Sequence, residues 1–307
     1  MPELPEVESI RRGLAPLILG RAIGEVAVLC EKSLPIDPLD LEDYVLGAPV
    51  VGLRRHAKLL IIDLDTDHSL LIHFKMTGQL VYRGPDPAGD WGGGHPTSSF
   101  VKTLPDNTTR VILTLEPSTS GERLFFNDLR KFGWIKVMPT EAVGNLDFVA
   151  KLGPEPLDPS GGRLAGAAAD QALEEFLSRA HRRPRSVIKA VILDQNVVGG
   201  IGNIYADEAL WSAMVHPATR TADLSEAQLA TIFTEAGEAM LRSLSVGGST
   251  MKTYRLPDGS TGSYLDDFAN VFRREGQPCP RCGEAIEKIR VAGRGTHLCP
   301  ACQPPPD

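Results

Sequence analysis

Apolar residues near the start of the chain recur at the spacing of a helix. Val7, Ile10 and Leu14 are three or four positions apart, and polar residues fill most of the positions between them. A proline inside a helix removes one backbone hydrogen bond and crowds the preceding turn. The pattern therefore predicts a helix over residues 5–18 that ends early, at Pro16.

Between residues 22 and 136 the apolar pattern changes to short β-branched or alternating runs. Clusters of turn-forming residues separate these runs, which include AIGEVAVLC, VVGLRRHAKLLIIDL, HSLLIHFKMTGQLVY, TRVILTL and ERLFFN. Such a pattern is typical of an antiparallel sandwich or barrel. The segment from Gly84 to Asn107 is rich in Gly, Pro and Asp, which predicts a long surface loop.

The second half of the chain has helical spacing. A segment dense in Pro and Gly, LGPEPLDPSGG at 152–162, comes first and predicts an interdomain linker. Four predicted helices follow, in ADQALEEFLSRA, SVIKAVILDQ, NIYADEALWSAM and LSEAQLATIFTEAGEAMLRSL. Ser225 is a favourable cap for the last of them. A cysteine-bearing module begins at about residue 268.

The composition narrows the class of protein. A length of 307 residues suggests two domains of about 150 residues each. Charged residues make up 23% of the chain, and Gly and Pro together 54 of its 307 residues, which excludes collagen-like and wholly disordered proteins. No apolar run reaches the length of a membrane span, and the acidic start MPELPEVESIRR is unlike a signal peptide. We therefore expect a cytoplasmic protein.

The net charge of −7 argues, taken alone, against a polyanion as partner, because domains that bind nucleic acid are usually basic. The argument is weak, since one part of a surface can be cationic while the rest is acidic.

Four of the five cysteines form the pattern C-x2-C-x16-C-x2-C, at Cys279, Cys282, Cys299 and Cys302. Each short pair can supply two corners of a tetrahedron, which is the spacing of a zinc ribbon. Four thiolates leave no coordination position open for water, so the pattern predicts one structural Zn²⁺ ion. A redox dithiol is the alternative interpretation.

Glycines directly precede a predicted helix in VVGGIGNIYADEAL, at 197–210. The free N–H groups of a helix N-terminus can bind a phosphate, although these glycines are equally compatible with close packing alone. The preceding run RAHRRPRSVIK contains five Arg and Lys residues and no acid. This excess favours a nucleic-acid backbone as the anion, and a solvated basic face is the alternative.

The first residues could also carry chemistry. Removal of Met1 would leave Pro2 with a free secondary amine, and α-amines of peptides have a pKa of about 7.7–8. Such an amine can attack an aldehydic or acetal carbon and form an iminium. Glu3 and Glu6 are near enough to shuttle protons. By itself, however, a start rich in Pro and Glu more often marks only the beginning of a helix.

Taken together, these segments resemble the bacterial formamidopyrimidine-DNA glycosylases, which excise oxidised purines. The resemblance runs from residue 1 to about 303, through MPELPEVE, RRHAKLL, HFKMTGQL, NDLRKFG, LGPEPL, GNIYADEAL, GGSTMK, GQPCPRCG and GRGTHLCPACQ. It implies an α+β multidomain fold: an N-terminal helix plus antiparallel β-sandwich, a helical domain with a helix–two-turn–helix, and a C-terminal zinc finger hairpin. The implied boundaries are 1–136, a linker at 137–162, 163–267 and 268–307.

The resemblance also assigns chemical roles. Pro2 matches the nucleophile that attacks C1′ of the damaged nucleotide, Glu3 the general acid, and Glu6 a helix carboxylate that supports protonation or positioning. Lys58 matches the lysine associated with phosphate contact and β-elimination. Arg294 matches the arginine to which δ-elimination is attributed. Because a guanidinium hardly deprotonates, we expect Arg294 to act as a phosphate clamp.

Further residues match DNA contacts of the family. Met76, Arg130 and Phe132 match the side chains that fill the space left by an extruded nucleotide, where Met and Phe replace lost stacking and Arg can bond the orphaned base. Backbone contacts, which position an enzyme without selecting sequence, are expected from four residues: Arg110, Lys131, Lys189 and Asn203.

The sequence departs from the family pattern at several positions. Thr108 stands where a DNA-contacting His is common, and His95 lies in the loop upstream. Phe272 stands where Tyr is frequent, and His297 where an aromatic residue is frequent. The loop at 84–107 is longer than the usual connection.

The resemblance implies a monomeric, bifunctional DNA glycosylase and abasic-site lyase of base excision repair. It would bind damaged double-stranded DNA in a cleft between its domains, flip the target nucleotide and excise 8-oxoguanine and formamidopyrimidines by β,δ-elimination. One alternative is an endonuclease VIII-like glycosylase for oxidised pyrimidines, but PELPEVE stands in place of the PEGPE start of that branch. The other is a non-enzymatic DNA-binding zinc protein, which would not need an N-terminal secondary amine.

Overall fold

A computed structural model describes residues 1–86, 89–95, 102–117, 121–247 and 268–306. Within these residues the chain forms two compact units. Unit 1 contains Met1–Ala150, and unit 2 contains Lys151–Ser245 and the described residues from 268 onward. None of the described helices is long and apolar enough to span a membrane.

Unit 1 begins with helix α1 (Leu4–Ile18), whose apolar face is buried in the sandwich core. The helix continues through Pro16, so the early end predicted at that residue is wrong. Pro16 lies in the last turn, where it removes a single hydrogen bond, and the burial of Ile18 to 1% exposure stabilises that turn. A short helix, α2 (Pro38–Tyr44), follows later in the unit.

The sandwich predicted for residues 22–136 is confirmed, and the described part consists of two antiparallel sheets. Along the chain their strands are β1 (Ala22–Val28), β2 (Val50–His56), β3 (Leu59–Leu64), β4 (His68–His73), β5 (Gly78–Arg83), β6 (Trp91–Gly94), β7 (Thr109–Glu116), β8 (Arg123–Asp128) and β9 (Trp134–Pro139). One sheet has the order β1-β7-β8-β5-β6 and the other the order β2-β3-β4-β9. Buried side chains of both sheets and of α1 form one hydrophobic core.

The segment predicted as a surface loop, 84–107, contains strand β6, which pairs with β5. Trp91 is buried in the core although the glycines around it suggested a loop. The loop prediction is therefore wrong for β6. Residues 87–88 and 96–101 of the segment lie outside the described part of the chain.

Residues after β9, which were predicted to belong to a linker, are ordered on unit 1. A 3-10 turn (Thr140–Asn145) and helix α3 (Asp147–Ala150) place Val143 and Val149 against Leu59 on the outer face of the second sheet. This small apolar cluster accounts for the continuation of unit 1 to Ala150. The division into domains at 136, 162 and 267 stays a prediction.

The helices predicted for unit 2 are present: α4 (Gly166–His181), α5 (Ile188–Leu193), α6 (Asn203–Ser212) and α7 (Glu226–Ser245). Ser225 caps α7, because its hydroxyl accepts a hydrogen bond from the Gln228 amide at 3.2 Å. Phe176 of α4 stacks on Phe233 of α7 with ring centroids 5.0 Å apart. This ring contact packs α4 against α7.

The module after residue 268 contains an antiparallel hairpin of β10 (Glu287–Val291) and β11 (Arg294–Leu298). Ala292 and Gly293 form its turn, and both have positive φ, 49° and 74°. Positive φ at both positions is the requirement of the tight hairpin turn that matches strand twist. All of the motif GGSTMK except Gly247, and the residues after it to 267, lie outside the described residues.

Candidate active site and metal centre

The start of α1 holds three of the predicted catalytic residues, and all three are buried. Glu3 caps the helix: its carboxylate accepts from the Glu6 amide, while Glu6 Oε2 accepts from the Glu3 amide at 2.8 Å. The unpaired N–H groups and the dipole of a helix N-terminus favour negative charge at this end. The reciprocal cap therefore fixes two acidic side chains next to Pro2 in the chain.

Lys58 lies in the turn between β2 and β3 and is 6% exposed. The buried side chain of Arg55 supports this turn, because Nη1 donates to the Ala57 carbonyl oxygen at 3.2 Å. The Nε atom of Arg55 also lies 3.5 Å from Oε2 of Glu8, on α1. One guanidinium thus contacts both the helix that follows the predicted nucleophile and the turn that carries the predicted β-elimination lysine.

His73, at the end of β4, is a half-buried titratable group near the predicted lysine. Burial, and then the positive charges of Lys75 and Lys58, lower the pKa of His73 to about 3. Its Nδ1 accepts a hydrogen bond from the Lys75 amide at 3.1 Å. His73 is therefore a neutral imidazole at physiological pH, so it adds no positive charge beside Lys58 and Lys75.

A single carboxylate connects the two loops that carry the predicted space-filling side chains. Asp128 is fully buried at the end of β8 and accepts from the amides of Arg130 (3.1 Å), Phe132 (2.7 Å) and Gly133 (2.6 Å). The hydroxyl of Thr77, from the loop between β4 and β5, also donates to it. Several N–H groups converging on one carboxylate fix the loop backbone.

The side chains presented by these loops are large and solvent-exposed. Met76 and Phe132 have exposed fractions of 40% and 48%. The guanidinium carbon of Arg130 lies 4.8 Å from the centroid of the Phe132 ring. Apolar side chains exposed on a rigid loop are suited to insertion between bases, and this role of the three residues stays a prediction.

The two other cations predicted to contact DNA in unit 1 differ in exposure. Lys131 is exposed and has a φ of 58°, which turns the loop sharply at that point. Arg110 is buried, and its Nε donates to the Asp128 carbonyl oxygen at 2.8 Å. Arg110 thus supports the loop from within, and both predicted DNA contacts stay predictions.

In unit 2 the predicted phosphate-binding residue Lys189 is fully buried. Its ammonium donates to Asp207 Oδ1 at 2.6 Å, to Thr296 Oγ1 at 2.6 Å and to the Gly295 carbonyl oxygen at 3.2 Å. All three of these acceptors belong to unit 2 itself. The side chain of Lys189 therefore joins its own helix, α5, to α6 and to β11. Its phosphate contact stays a prediction.

Two side chains of α6 hold the same strand. Asn203 Nδ2 donates to the Gly295 carbonyl oxygen at 2.9 Å. Asp207 Oδ2 accepts from the His297 amide at 2.9 Å and lies 3.1 Å from His297 Nδ1. The His297 ring meets Phe272 edge-on, with centroids 5.0 Å apart, so two positions that depart from the family pattern contact each other.

The neighbouring acid, Glu208, organises the chain that leads to the cysteines. Its carboxylate is fully buried and accepts from the amides of Asn270, Val271 and Phe272 and from the Asn270 side chain, at 2.9 to 3.0 Å. Four donors satisfy both oxygens of this buried charge. Successive acids of α6 therefore hold two different segments of the zinc finger module.

Arg294 is the first residue of β11 and follows the hairpin turn directly. It is exposed, in contrast to Lys189 and to Thr296, which are both buried. A guanidinium at the exposed tip of a hairpin can reach a phosphate. This position is compatible with the predicted clamp, which stays a prediction.

The four cysteine sulfurs of the module lie within 4.8 Å of one another. The Sγ atoms of Cys282 and Cys299 are 3.4 Å apart, and those of Cys279 and Cys302 are 3.9 Å apart. Four sulfurs at about 2.3 Å from a tetrahedral zinc ion are separated by about 3.8 Å. The cysteines thus fit one structural Zn²⁺ ion, as the spacing predicted.

Two residues around the cysteines favour a thiolate. Burial alone raises the pKa of Cys279, but hydrogen bonds from the Arg281 amide and the Trp211 indole outweigh it and lower the pKa to about 6. Trp211 belongs to α6, and the guanidinium carbon of Arg281 lies 4.2 Å from the centroid of its ring. Burial raises the pKa of Cys299 and of Cys302, so these contacts favour the thiolate that zinc binds at Cys279 in particular.

The predicted site residues form separate groups in the structure. Pro2, Glu3 and Glu6 share the start of α1, and the loops that carry Met76, Arg130 and Phe132 share the carboxylate of Asp128. Four groups were not found from the sequence: the half-buried His73, and the buried acids Asp128, Asp207 and Glu208. Each lies inside a recognised motif, but a motif does not show which of its polar residues is buried.

Three family models match the chain. The formamidopyrimidine-DNA glycosylase N-terminal domain matches residues 1–135, the formamidopyrimidine-DNA glycosylase H2TH domain residues 152–255, and the zinc finger found in FPG and IleRS residues 276–305. The formamidopyrimidine-DNA glycosylase of Chloroflexus aurantiacus is 37% identical over 304 residues, 99% of this chain and 98% of the relative. That of Geobacillus kaustophilus is 38% identical over 309 residues, 99% of this chain and 100% of the relative.

Solved structures agree with these matches. A Lactococcus lactis FPG mutant in complex with DNA containing Fapy-dG has a TM-score of 0.81 and 30% identity, covering 99% of this chain and 100% of that one. The complex of Lactococcus lactis Fpg with DNA containing an abasic site has a TM-score of 0.81 and 29% identity at the same coverage. The resemblance and the fold class inferred from the sequence are confirmed. The chain belongs to the formamidopyrimidine-DNA glycosylase family.

Proposed function

We propose that this chain is a bifunctional DNA glycosylase and abasic-site lyase of base excision repair. The observation that carries the proposal is the start of α1, where Pro2 precedes two buried acids in a reciprocal cap. A protein that only binds DNA has no need of a secondary amine at this point. Together with the family membership, this arrangement favours a Schiff-base mechanism over simple binding.

The reaction begins once Met1 has been removed. The lone pair of the Pro2 nitrogen attacks C1′ of the damaged nucleotide, and the bond from C1′ to the base breaks as the base is protonated. Opening of the sugar then leaves an iminium between Pro2 and C1′. Glu3 is the acid of this step, and the Glu6 carboxylate, bonded to the Glu3 amide, holds it in place.

Elimination follows from the iminium, which acidifies the proton on C2′. Loss of that proton expels the 3′ phosphate in β-elimination, and a second elimination expels the 5′ phosphate, leaving a one-nucleotide gap. Lys58 assists the first step from the turn that Arg55 supports. Arg294 clamps a phosphate during the second step.

The damaged nucleotide must leave the base stack before its C1′ can be attacked. Met76 and Phe132 enter the space that it vacates, and Arg130 bonds the orphaned base. Lys131, Arg110, Lys189 and Asn203 contribute backbone binding. The shared carboxylate of Asp128 supports this assignment, because it gives the insertion loops one rigid base.

The proposed substrates are oxidised purines, namely 8-oxoguanine and formamidopyrimidines in double-stranded DNA. The relative bound to Fapy-dG DNA supports this class, as does the PELPEVE start of the chain. The proposed enzyme is a cytoplasmic monomer. Excision of thymine glycol in preference to 8-oxoguanine would favour the endonuclease VIII-like alternative.

Borohydride trapping on a duplex with 8-oxoguanine opposite cytosine tests the proposal. The wild-type chain should form a covalent protein–DNA adduct. A tag that stays in front of Pro2 converts its nitrogen into an amide, so the tagged chain should form no adduct. Pro5→Ala is the matched control, since it also changes the start of α1 but leaves the Pro2 amine free. An adduct in the tagged chain would exclude this nucleophile, and duplex binding without any wild-type adduct would favour the binding protein.

A further inference from the structure

Three consecutive residues of β11 are held by side chains of α5 and α6. The Gly295 carbonyl oxygen accepts from Asn203 and Lys189, and the Thr296 hydroxyl accepts from Lys189. The His297 amide and ring bond to Asp207. We call this group of contacts, made by Lys189, Asn203 and Asp207, the strand latch.

Asp207 is the centre of the strand latch. One of its oxygens lies 2.6 Å from the Lys189 ammonium, and the other accepts from the backbone of β11. Asp207 and Lys189 are both fully buried. Removing the charge from one partner of a buried pair leaves the other uncompensated, which is far more costly than losing an exposed pair.

The strand latch lies immediately beside Arg294. The Thr296 hydroxyl donates to the Arg294 carbonyl oxygen at 3.1 Å while accepting from Lys189. The zinc ligand Cys299 comes one residue after the other end of β11. Zinc therefore fixes the base of the hairpin, whereas the strand latch fixes the end that carries the guanidinium.

We propose that Asp207 is a positioning residue for Arg294 in the second elimination. It does not touch DNA; it sets the place of the guanidinium through Lys189 and the backbone of β11. The inference rests on the proposed function, in which Arg294 clamps a phosphate. It adds an acid of α6 to the residues on which the final product depends.

The test uses Asp207→Asn, which keeps the size of the side chain and removes its charge. With a preformed abasic site, a denaturing gel separates the products of one elimination from those of two. We expect Asp207→Asn to lower the fraction of the two-step product at least fivefold, while borohydride trapping stays within about twofold of wild type. Arg294→Ala should show the same product pattern, and Asp170→Asn, an exposed acid on α4, should match wild type.

Hydrogen exchange of the peptide covering β10 and β11 measures the latch itself, without reference to activity. Exchange should be faster in Asp207→Asn, and zinc content should remain one ion per chain. Thr296→Val removes one contact of Lys189 without leaving an unpaired charge, so it carries the test if Asp207→Asn fails to fold or loses its zinc. It should give a smaller change in the same direction.

The outcomes separate the two proposals. Unchanged exchange in folded Asp207→Asn would overturn the strand latch. Faster exchange with a wild-type product ratio, while Arg294→Ala alters that ratio, would overturn the positioning role of Asp207. A wild-type ratio in Arg294→Ala would instead refute the clamp assigned to Arg294, and with it any role for Asp207 in the second step.

Discussion

Fully buried carboxylates organise the segments that carry the proposed function. Glu8, Asp128, Asp207 and Glu208 have no exposed surface, and each faces several donors. A buried charge is stable only when it is paired or well hydrogen-bonded. Replacing one of these acids by its amide therefore disturbs a whole segment, not a single contact.

Asp128→Asn tests this at the predicted insertion loops. An amide places N–H donors where backbone N–H groups already converge, so the free energy of unfolding should fall by about 2 kcal/mol. The catalytic efficiency on 8-oxoguanine duplexes should fall at least tenfold, because Arg130 and Phe132 lose their fixed backbone. Chemical denaturation and steady-state kinetics measure the two effects.

Asp67→Asn provides the matched control, since Asp67 is an exposed turn residue with a φ of 58°, a conformation that Asn also tolerates. Its stability and activity should equal those of wild type. Wild-type kinetics in Asp128→Asn would show that the carboxylate does not organise the loops.

His73 makes stability depend on pH. The folded protein keeps this imidazole neutral down to a pKa of about 3, whereas the unfolded chain binds the proton at the ordinary pKa of 6.5. The unfolded state therefore gains protons first, and His73 lowers stability as pH falls from 6.5 towards 3. Within that window it contributes about 1.4 kcal/mol for each pH unit.

Denaturation of wild type and His73→Gln between pH 7.5 and pH 4 measures this contribution. The carboxylates are common to both proteins, so the slope of unfolding free energy against pH should be shallower in the variant. Equal slopes would mean that His73 is protonated in the folded state.

At the level of elements, α1 and the β2–β3 hairpin are joined by a buried ion pair. Glu8 also bonds Arg11 and Arg12 on its own helix, and its hydrogen bond raises the pKa of Arg11 above the ordinary value although burial lowers it. The side chain of Arg55 adds the contact to the neighbouring strand. The helix that follows Pro2 and the turn that holds Lys58 are consequently held together by Arg55.

The zinc site depends on α6 through the Trp211 indole, which lies 3.4 Å from the Cys279 sulfur. Trp211→Phe removes this donor and a thiolate-stabilising contact, so a chelator should take zinc from the variant severalfold faster. A colorimetric zinc indicator follows the release. Trp134→Phe, a substitution in unit 1, should leave the rate unchanged, and identical rates in all three proteins would exclude a role for the indole.

The sequence predicted the elements that rest on periodicity and spacing, and it failed where tertiary contacts decide. Helical spacing located α4 to α7, and the cysteine pattern located the metal. Strand β6 was missed because its glycines suggest a turn, whereas the burial of Trp91 decides the structure. The partners of Lys189 were equally inaccessible, since Thr296 lies 107 positions further along the chain.

For the whole molecule, the net charge of −7 is more negative than the charge at the surface, which is the part that a polyanion meets. In the part of the chain that the structure describes, seven acidic residues are buried against four Lys and Arg residues. The buried acids face hydrogen-bond donors inside the protein and contribute less to repulsion at the surface. Binding to DNA is therefore compatible with an acidic composition, and it should weaken strongly with salt.

Lys131→Ala measures one phosphate contact within this charge distribution. Its affinity should fall about equally for damaged and undamaged duplexes, and the slope of log affinity against log salt should decrease by about one. Arg130→Ala should instead reduce the preference for the base opposite the lesion. Lys32→Ala, an exposed lysine in a 3-10 turn, should have the wild-type slope, and the same slope in Lys131→Ala would exclude its phosphate contact.

The strand latch also implies an order of folding during synthesis. Lys189 and Asp207 are separated by only 18 positions, whereas His297 lies 90 positions after Asp207. Helices α5 and α6 can therefore meet while β11 is still unsynthesised, and the buried ammonium then lacks its acceptors on Gly295 and Thr296. The C-terminal hairpin thus completes a group of buried contacts whose other members are synthesised earlier. In chains that terminate before Arg294, helices α5 and α6 should therefore be unstable, although they are far from the missing residues in the sequence.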